Sequence, residues 1–371
     1  MLSRKEKLAS YLKKVRKVIV KIGSAVITKE DVGLDYEVLS NICLQIAKLK
    51  KTGIKIVIVS SGAIACGRTK LNYYKNPISL TEKQALASVG QAELIQAYED
   101  VFKKYGINVA QILLTSQDLS QRERYLNAKK TLQTLLKWEI IPIINENDTV
   151  ATEEIKFGDN DILSALVAGT VEADLLIMLS DIDALYKEDP RINPSAEKIK
   201  EVEEITPEIL KMAGTKPGRI GRGGMYSKLL AAQMVTSMGI PMVILPGRNF
   251  LSIEKFWNGE DIGTIFWHKE KHLNLRKYWI KYYIKPEGKI YIDKGAEKAL
   301  LENGKSLLIG GIRFIEGEFS KGACVECITE ENTPLAKGLI NFSSHELKEI
   351  LKSGKKVLKE VIHRDNLVLL D

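Results

Sequence analysis

Cysteine is scarce in this chain of 371 residues: Cys43, Cys66, Cys324 and Cys327 are too few and too scattered for a disulfide scaffold. That usage fits a reducing compartment. Histidine is equally rare, and His268, His272, His345 and His363 all lie outside the polar loops that close the strands, so those loops have no histidine base. No apolar run approaches the roughly 18 residues needed to span a bilayer. The basic start, MLSRKEKLASYLKKVRK, has no apolar stretch behind it and does not read as a secretory leader. A cytoplasmic protein without a membrane span is expected. Aromatic residues make up 7% of the chain and form no row suited to stacking bases.

The rest of the composition is that of a globular protein. Hydrophobic residues account for 45% and charged residues for 27%, which excludes disorder of the whole chain and leaves material for two or three domains. Formal net charge is +8, from 55 Lys and Arg against 47 Asp and Glu. Residues from 271 onward hold 18 basic and 14 acidic side chains, so the C-terminal third is only mildly richer in positive charge. The balance permits an anionic ligand or nucleic acid without demanding one.

Up to about residue 250, short runs of Val, Ile and Leu alternate with helical patterns. Val18–Ile22, Ile56–Val59, Val109–Leu114, Ile140–Ile144, Leu175–Leu179 and Met242–Leu245 read as buried strands. Tyr36–Lys51, Thr81–Tyr105, Arg122–Lys137, Asp161–Thr170 and Tyr226–Met238 read as helices between them. Apolar strands alternating with amphipathic helices predict an α/β fold, an open and mostly parallel sheet sandwiched by helices. From Tyr282 the texture becomes short and glycine-punctuated. Strands are expected at Lys289–Asp293, Gly311–Glu316, Ala323–Thr329 and Pro334–Asn341, with helices at Gly295–Asn303 and Ser344–Leu351. The expected organisation is a main domain over 1–260, a linker over 261–285 and a small β-rich domain over 286–371.

In an open parallel sheet, ligands bind beyond the C-terminal ends of the strands, where glycine lets backbone approach phosphate. Four loops answer that description. Lys21-Ile22-Gly23-Ser24 places a cation beside an exposed N–H, although a lysine at a strand end is more often only a surface group. Ser60-Ser61-Gly62 leads a strand into a helix, which is also an ordinary capping pattern. Asn145-Glu146-Asn147-Asp148 and Asp159-Asn160-Asp161 gather acids and amides where a strand ends and a helix begins, a place the helix dipole favours for carboxylates. Gly214 to Lys228 packs five glycines and four basic residues into fifteen positions that open into a helix, a loop suited to polyphosphate. It fits neither the Walker A nor the G-x-G-x-x-G spacing. Cys324-Val325-Glu326-Cys327 suggests zinc only superficially, because no second pair or nearby histidine completes four ligands.

In this order, Val20-Lys21-Ile22-Gly23-Ser24, Ser60-Ser61-Gly62-Ala63-Ile64-Ala65, Ile144-Asn145-Glu146-Asn147-Asp148, Gly158-Asp159-Asn160-Asp161, Leu179-Ser180-Asp181 with Asp189-Pro190-Arg191, and Gly221-Arg222-Gly223-Gly224-Met225-Tyr226-Ser227-Lys228 resemble the amino acid kinase family. Within it, they resemble the branch that phosphorylates the side-chain carboxylate of L-glutamate. Arg222 and Ser227 stand where many members carry Thr; Ser227 keeps the hydroxyl, and Arg222 adds a cation. Gly288-Lys289-Ile290 to Ala296 and Ser306 to Ile312 resemble a PUA domain, for which a structural or regulatory role is favoured over RNA binding.

The resemblance implies the amino acid kinase fold and phosphoryl transfer from ATP, with Mg²⁺ carried by the nucleotide and no resident metal site. It implies catalytic roles for Lys21, Lys228 and Asp161, with Asp161 holding the two lysines. ATP contacts would come from Lys21, Gly23, Ser180, Asp181, Arg222, Gly223, Gly224, Met225, Tyr226, Ser227 and Lys228. A homo-oligomer and feedback inhibition by proline, the end product of the pathway that this step begins, are also implied. Substrate choice follows from charge: a free amino acid carries an ammonium, which needs carboxylate and amide oxygens. Asp148, Asn160 and Asp159 supply these, and Ser61 can donate to a substrate carboxylate. Aspartate differs from glutamate by one methylene and is less well excluded. The alternatives are a kinase for aspartate or N-acetylglutamate, or an RNA-binding protein with a vestigial kinase domain.

Overall fold

The computed structural model describes residues 4–29, 33–76, 78–150, 159–213, 224–268, 277, 280–281, 284, 286–353 and 359–370. The chain divides into two compact units, Met1–His272 and Leu273–Asp371.

The first unit is built on eight strands: β1 (Lys17–Ile22), β2 (Lys55–Ser60), β3 (Val109–Leu114), β4 (Ile141–Glu146), β5 (Leu175–Ser180), β6 (Glu201–Val202), β7 (Met242–Pro246) and β8 (Thr264–Phe266). Their order across the sheet is β6-β8-β7-β5-β1-β2-β4-β3, parallel throughout except where β8 meets β7. Val18, Ile19 and Val20 are successive residues pointing to opposite faces, and all are fully buried. Both faces of the sheet are therefore covered, as an all-apolar strand requires. Each such side chain contributes about 1.5–3 kcal/mol of burial. Helices connect the strands: α1 (Arg4–Leu12) before β1, then α2 (Tyr36–Lys51), α3 (Ala63–Lys70), α4 (Leu80–Lys103), α5 (Arg122–Lys137), α6 (Asp159–Thr170) and α7 (Met225–Ser237). Local chemistry sets several ends. Asp35 accepts from Val38 N at the start of α2, and Ser79 with Glu82 forms a reciprocal capping box on α4.

Two expectations are corrected and one element is added. The run Val109–Leu114 forms β3 but is only partly buried, because β3 is the outermost strand and has one neighbour. The segment at 264–266, expected in the linker, is a strand of the main sheet, and the first unit continues to His272. Three residues flanked by Trp267 and His268 carry too short a period to be read. The N-terminal helix α1 had no sequence signal strong enough to be named, yet it buries Leu8 and Leu12 against the core.

The second unit contains β9 (Gly288–Ile292), β10 (Ile312–Glu316), β11 (Cys324–Ile328), β12 (Pro334–Leu339) and β13 (Leu367–Leu369), ordered β10-β9-β11-β12-β13. With α8 (Lys294–Asn303) and α9 (Ser344–Ser353) it closes its own core around Ile290, Val325, Leu347 and Ile362. The strand β13 went unread; the other four are where they were expected, within two residues. An aromatic pair, Tyr291 and Phe314, stacks with centroids 4.0 Å apart on β9 and the edge strand β10. Cys324 and Cys327 are buried on β11, where burial pushes their thiols up to about 11 and about 12, away from the thiolate that a metal needs.

Candidate active site

The parallel register places the ends of β1, β2 and β5 side by side: Ile22 lies opposite Ser60 on one flank and Leu179 on the other. Lys21 is the penultimate residue of β1 and is only 5% exposed, so it is no surface lysine. Its Nζ lies 2.5 Å from Asp161 Oδ1, at the start of α6. The other carboxylate oxygen, Oδ2, lies 3.3 Å from Lys228 Nζ and accepts from Ser227 Oγ at 2.6 Å, both in the first turn of α7. Asp161 is 1% exposed and Lys228 is 4% exposed. Three chain segments separated by more than sixty residues thus meet in one buried cluster.

Electrostatics gives the cluster its character. Burial pushes the Asp161 carboxyl up, but Lys21, Lys228 and the hydrogen bonds from Lys21 and Ser227 outweigh it, leaving it below the ordinary carboxylate value. Burial pulls the Lys228 ammonium down; Asp161 opposes this and Lys21 adds to it, and the net value is below that of a free lysine. Two ammonium groups share one buried carboxylate, and Asp181 adds a more distant negative charge that favours the charged form of Lys228. An anion placed beside the two amines would be attracted to both.

Beside it lies a second set of groups, continuous with the first because Asn160 precedes Asp161. Asn160 Nδ2 lies 2.7 Å from Ser61 Oγ, 3.1 Å from the Ser60 carbonyl and 3.0 Å from Asn145 Oδ1. Asn160 Oδ1 is buried and has no hydrogen-bond partner among the described residues. Ser61 Oγ accepts from Asn160, so its own proton is left to donate. Gly62 turns the chain here with φ +115°, a conformation L side chains avoid. The helix that follows, α3, then packs so closely on α4 that a Cβ at Gly90 would stand 1.9 Å from the Ala63 carbonyl oxygen. Backbone contact this close ties the Ser61 turn to α4.

The structure thus brings together Lys21, Asp161, Ser227 and Lys228, and next to them Ser61 and Asn160. Asp148 is half-buried two residues beyond β4. Ser180 ends β5 with its hydroxyl accepting from Ile182 N, while Asp181 is exposed beyond it, near enough to Lys228 to favour its charged form. Gly224 caps α7, Met225 is half-buried and Tyr226 is exposed. The Gly23 N–H donates to the Leu179 carbonyl at 3.3 Å and so is engaged within the sheet. Arg222 and Gly223, with the remainder of 214–223, lie outside the described residues, as do Gly158 and the side chain of Asp159.

Strand ends carrying Lys21, a Ser-Gly turn and two facing helix starts around one carboxylate agree with the family comparison. The amino acid kinase family profile matches residues 16–246, and the PUA domain profile matches residues 288–363. The chain belongs to the amino acid kinase family. Among relatives of this kinase is the glutamate 5-kinase of Geobacter sulfurreducens, 46% identical over 371 residues, covering 98% of this chain and 100% of that protein. A glutamate 5-kinase from Thermoanaerobacter sp. is 45% identical over 366 residues, covering 96% of this chain and 98% of its own. That of Caldanaerobacter subterraneus is 46% identical over 364 residues, with the same shares. The kinase thus carries both domains along the length of these relatives.

Two residues bonded to the Asn160 group carry no role in the sequence reading. Asn145 was counted in a polar cluster without a role, and Gln91, in the middle of α4, carried no signal at all; its Oε1 accepts from Asn145 Nδ2 at 2.8 Å. Nothing in the spacing of a 24-residue helix distinguishes Gln91 from a solvent-facing glutamine.

Proposed function

We infer that this kinase transfers the γ-phosphoryl group of ATP to the side-chain carboxylate of L-glutamate, giving L-glutamyl 5-phosphate and ADP. The observation that carries the reading is the buried cluster in which Lys21 and Lys228 share Asp161. A carboxylate nucleophile is ionised at pH 7, so no base is needed. The barrier is the approach of one anion to another. In the proposed step a glutamate oxygen bonds to the γ-phosphorus as the bond to the β–γ bridging oxygen breaks, and no proton moves. Lys21 and Lys228 stand on the migrating group and stabilise its charge. Such preorganised groups are typically worth about 3–4 kcal/mol of barrier each. Asp161, itself held by the Ser227 hydroxyl, keeps the two amines in place, and Ser180, Asp181 and Gly224–Lys228 line the nucleotide side. Mg²⁺ carried by the nucleotide would be held by phosphate oxygens and water and would neutralise phosphate charge.

For the amino acid, the Oδ1 of Asn160, which has no partner among the described residues, is an acceptor for the α-ammonium, with Asp148 and Asp159 adding negative charge and Ser61 donating to a carboxylate. N-acetylation would replace the ammonium by a neutral amide with a single N–H, so the charge-assisted bond to Asn160 Oδ1, worth about 1.5–3 kcal/mol, would be lost or reduced to a neutral one. A coupled ADP-release assay with Mg-ATP and L-glutamate, L-aspartate or N-acetyl-L-glutamate tests the reading. Turnover is expected with glutamate; faster turnover with either competitor overturns it. Millimolar L-proline, added to the glutamate reaction, is expected to inhibit by competing at the amino-acid subsite, and unchanged rates would remove that proposal.

A further inference from the structure

Between α4 and the amino-acid subsite runs a chain of amides. Gln91 Oε1 accepts from Asn145 Nδ2 at 2.8 Å. Asn145 Oδ1 in turn accepts from Asn160 Nδ2 at 3.0 Å and from the Glu146 N–H at 2.9 Å. Asn145 is 3% exposed, so its NH₂ group has no water to turn to if Gln91 is lost. An amide is nearly symmetric in shape and opposite in polarity at its two ends. Turned over, Asn145 would set its NH₂ against two other donors, Asn160 Nδ2 and the Glu146 N–H. Unturned, it would keep a buried donor unpaired. Either outcome loosens one of the acceptors that hold Asn160.

We propose that Gln91 is a positioning residue for amino-acid binding: through Asn145 it holds the Asn160 amide with its oxygen toward the substrate. The role rests on Asn160 meeting the ammonium, as inferred above. The Nε2 of Gln91 is buried and has no partner among the described residues, and the contact to Asn145 is made by its acceptor. Its place is set by the neighbouring Gly90, whose missing Cβ lets α4 press against the Ala63 carbonyl just beyond the Ser61 turn. The residue therefore joins two parts of the subsite, the turn after β2 and the end of β4, from a helix that carries none of the other substrate groups.

The test uses the full chain and steady-state kinetics with L-glutamate and Mg-ATP. Gln91→Met removes the acceptor at similar length and helix propensity. It should raise KM for glutamate about fivefold, the equivalent of one hydrogen bond of ~1 kcal/mol. The kcat and the KM for ATP should stay within about twofold, because binding lost equally from ground and transition states appears in KM alone. Gln91→Glu keeps the acceptor and discards only the idle donor, so it should restore KM to within about twofold of the parent. In the double variant with Asn160→Ala, Gln91→Met should add no further rise, since the two act on one contact. A fall in kcat with KM unchanged, or Gln91→Glu behaving like Gln91→Met, overturns the proposal. If Asn160→Ala alone leaves KM for glutamate unchanged, the substrate role of Asn160 fails and the proposal falls with it. If Asn160→Ala raises KM and Gln91→Met does not, the role of Gln91 fails alone.

Discussion

Removing the shared carboxylate and removing one of its lysines should have opposite signatures. In Asp161→Asn, Lys21 and Lys228 remain within reach of each other at 5% and 4% exposure with no anion between them. Breaking a buried pair in this way costs about 3–5 kcal/mol, because charge is left uncompensated. For a unit of this size each kcal/mol moves the melting temperature by roughly 2–4 °C, so a fall of about 6–20 °C is expected. In Lys228→Met the cluster becomes one lysine and one carboxylate, still bonded to Ser227, a pair with matched charges. Its melting temperature should stay close to that of the parent, while kcat falls by at least ~10²-fold because a group on the migrating phosphoryl is gone. Differential scanning fluorimetry and the coupled ADP assay read the two effects separately. Equal melting shifts in the two variants, or near-normal turnover in Lys228→Met, would refute the shared-carboxylate reasoning.

The remaining predictions concern pH and packing. Asp161 is held below its ordinary value, so its stabilisation is complete above the free carboxylate range near 3.9 and is lost as pH falls through its lower folded value. The stability gap between parent and Asp161→Asn should therefore narrow only in strong acid, and a gap that closes between pH 5 and 7 contradicts it. Lys228 is also lowered, so in the alkaline range between its folded and unfolded values the folded chain binds fewer protons and stability rises with pH; Lys228→Met should lose that rise in urea titrations. Gly90→Ala puts a methyl where the Ala63 carbonyl oxygen stands 1.9 Å away, so α3 and α4 must separate. A loss of about 1–3 kcal/mol and a higher KM for glutamate are expected, and an unchanged melt would show that the helices yield freely.

Much of the fold was legible because its signals are local. Six of the eight strands of the first sheet are short blocks of Val, Ile, Leu and Met, and helices such as Tyr36–Lys51 and Arg122–Lys137 carry a clear amphipathic period. What escaped was what has no period of its own. Thr264–Phe266 is too short, the partial exposure of Val109–Leu114 follows only from its place at the sheet edge, and Arg4–Leu12 owes its burial to the surface it meets. The site divides in the same way. Lys21, Ser61, Asn160, Asp161 and Lys228 were expected from their loops and from the family resemblance, and the structure sets them side by side. Gln91 did not, because a mid-helix glutamine looks alike whether it faces water or a buried amide.

The order of residues alone determined the alternation of strand and helix, the division into two units and the identity of the charged groups, since each follows from hydrophobic period and chemical type. Only the tertiary structure decided that Lys21 and Lys228 share a single carboxylate, and that Gln91 reaches Asn145. Distances between residues far apart in the chain depend on how closely helices approach the sheet. That approach is set by packing and by the absence of a Cβ at Gly90, which no local pattern encodes.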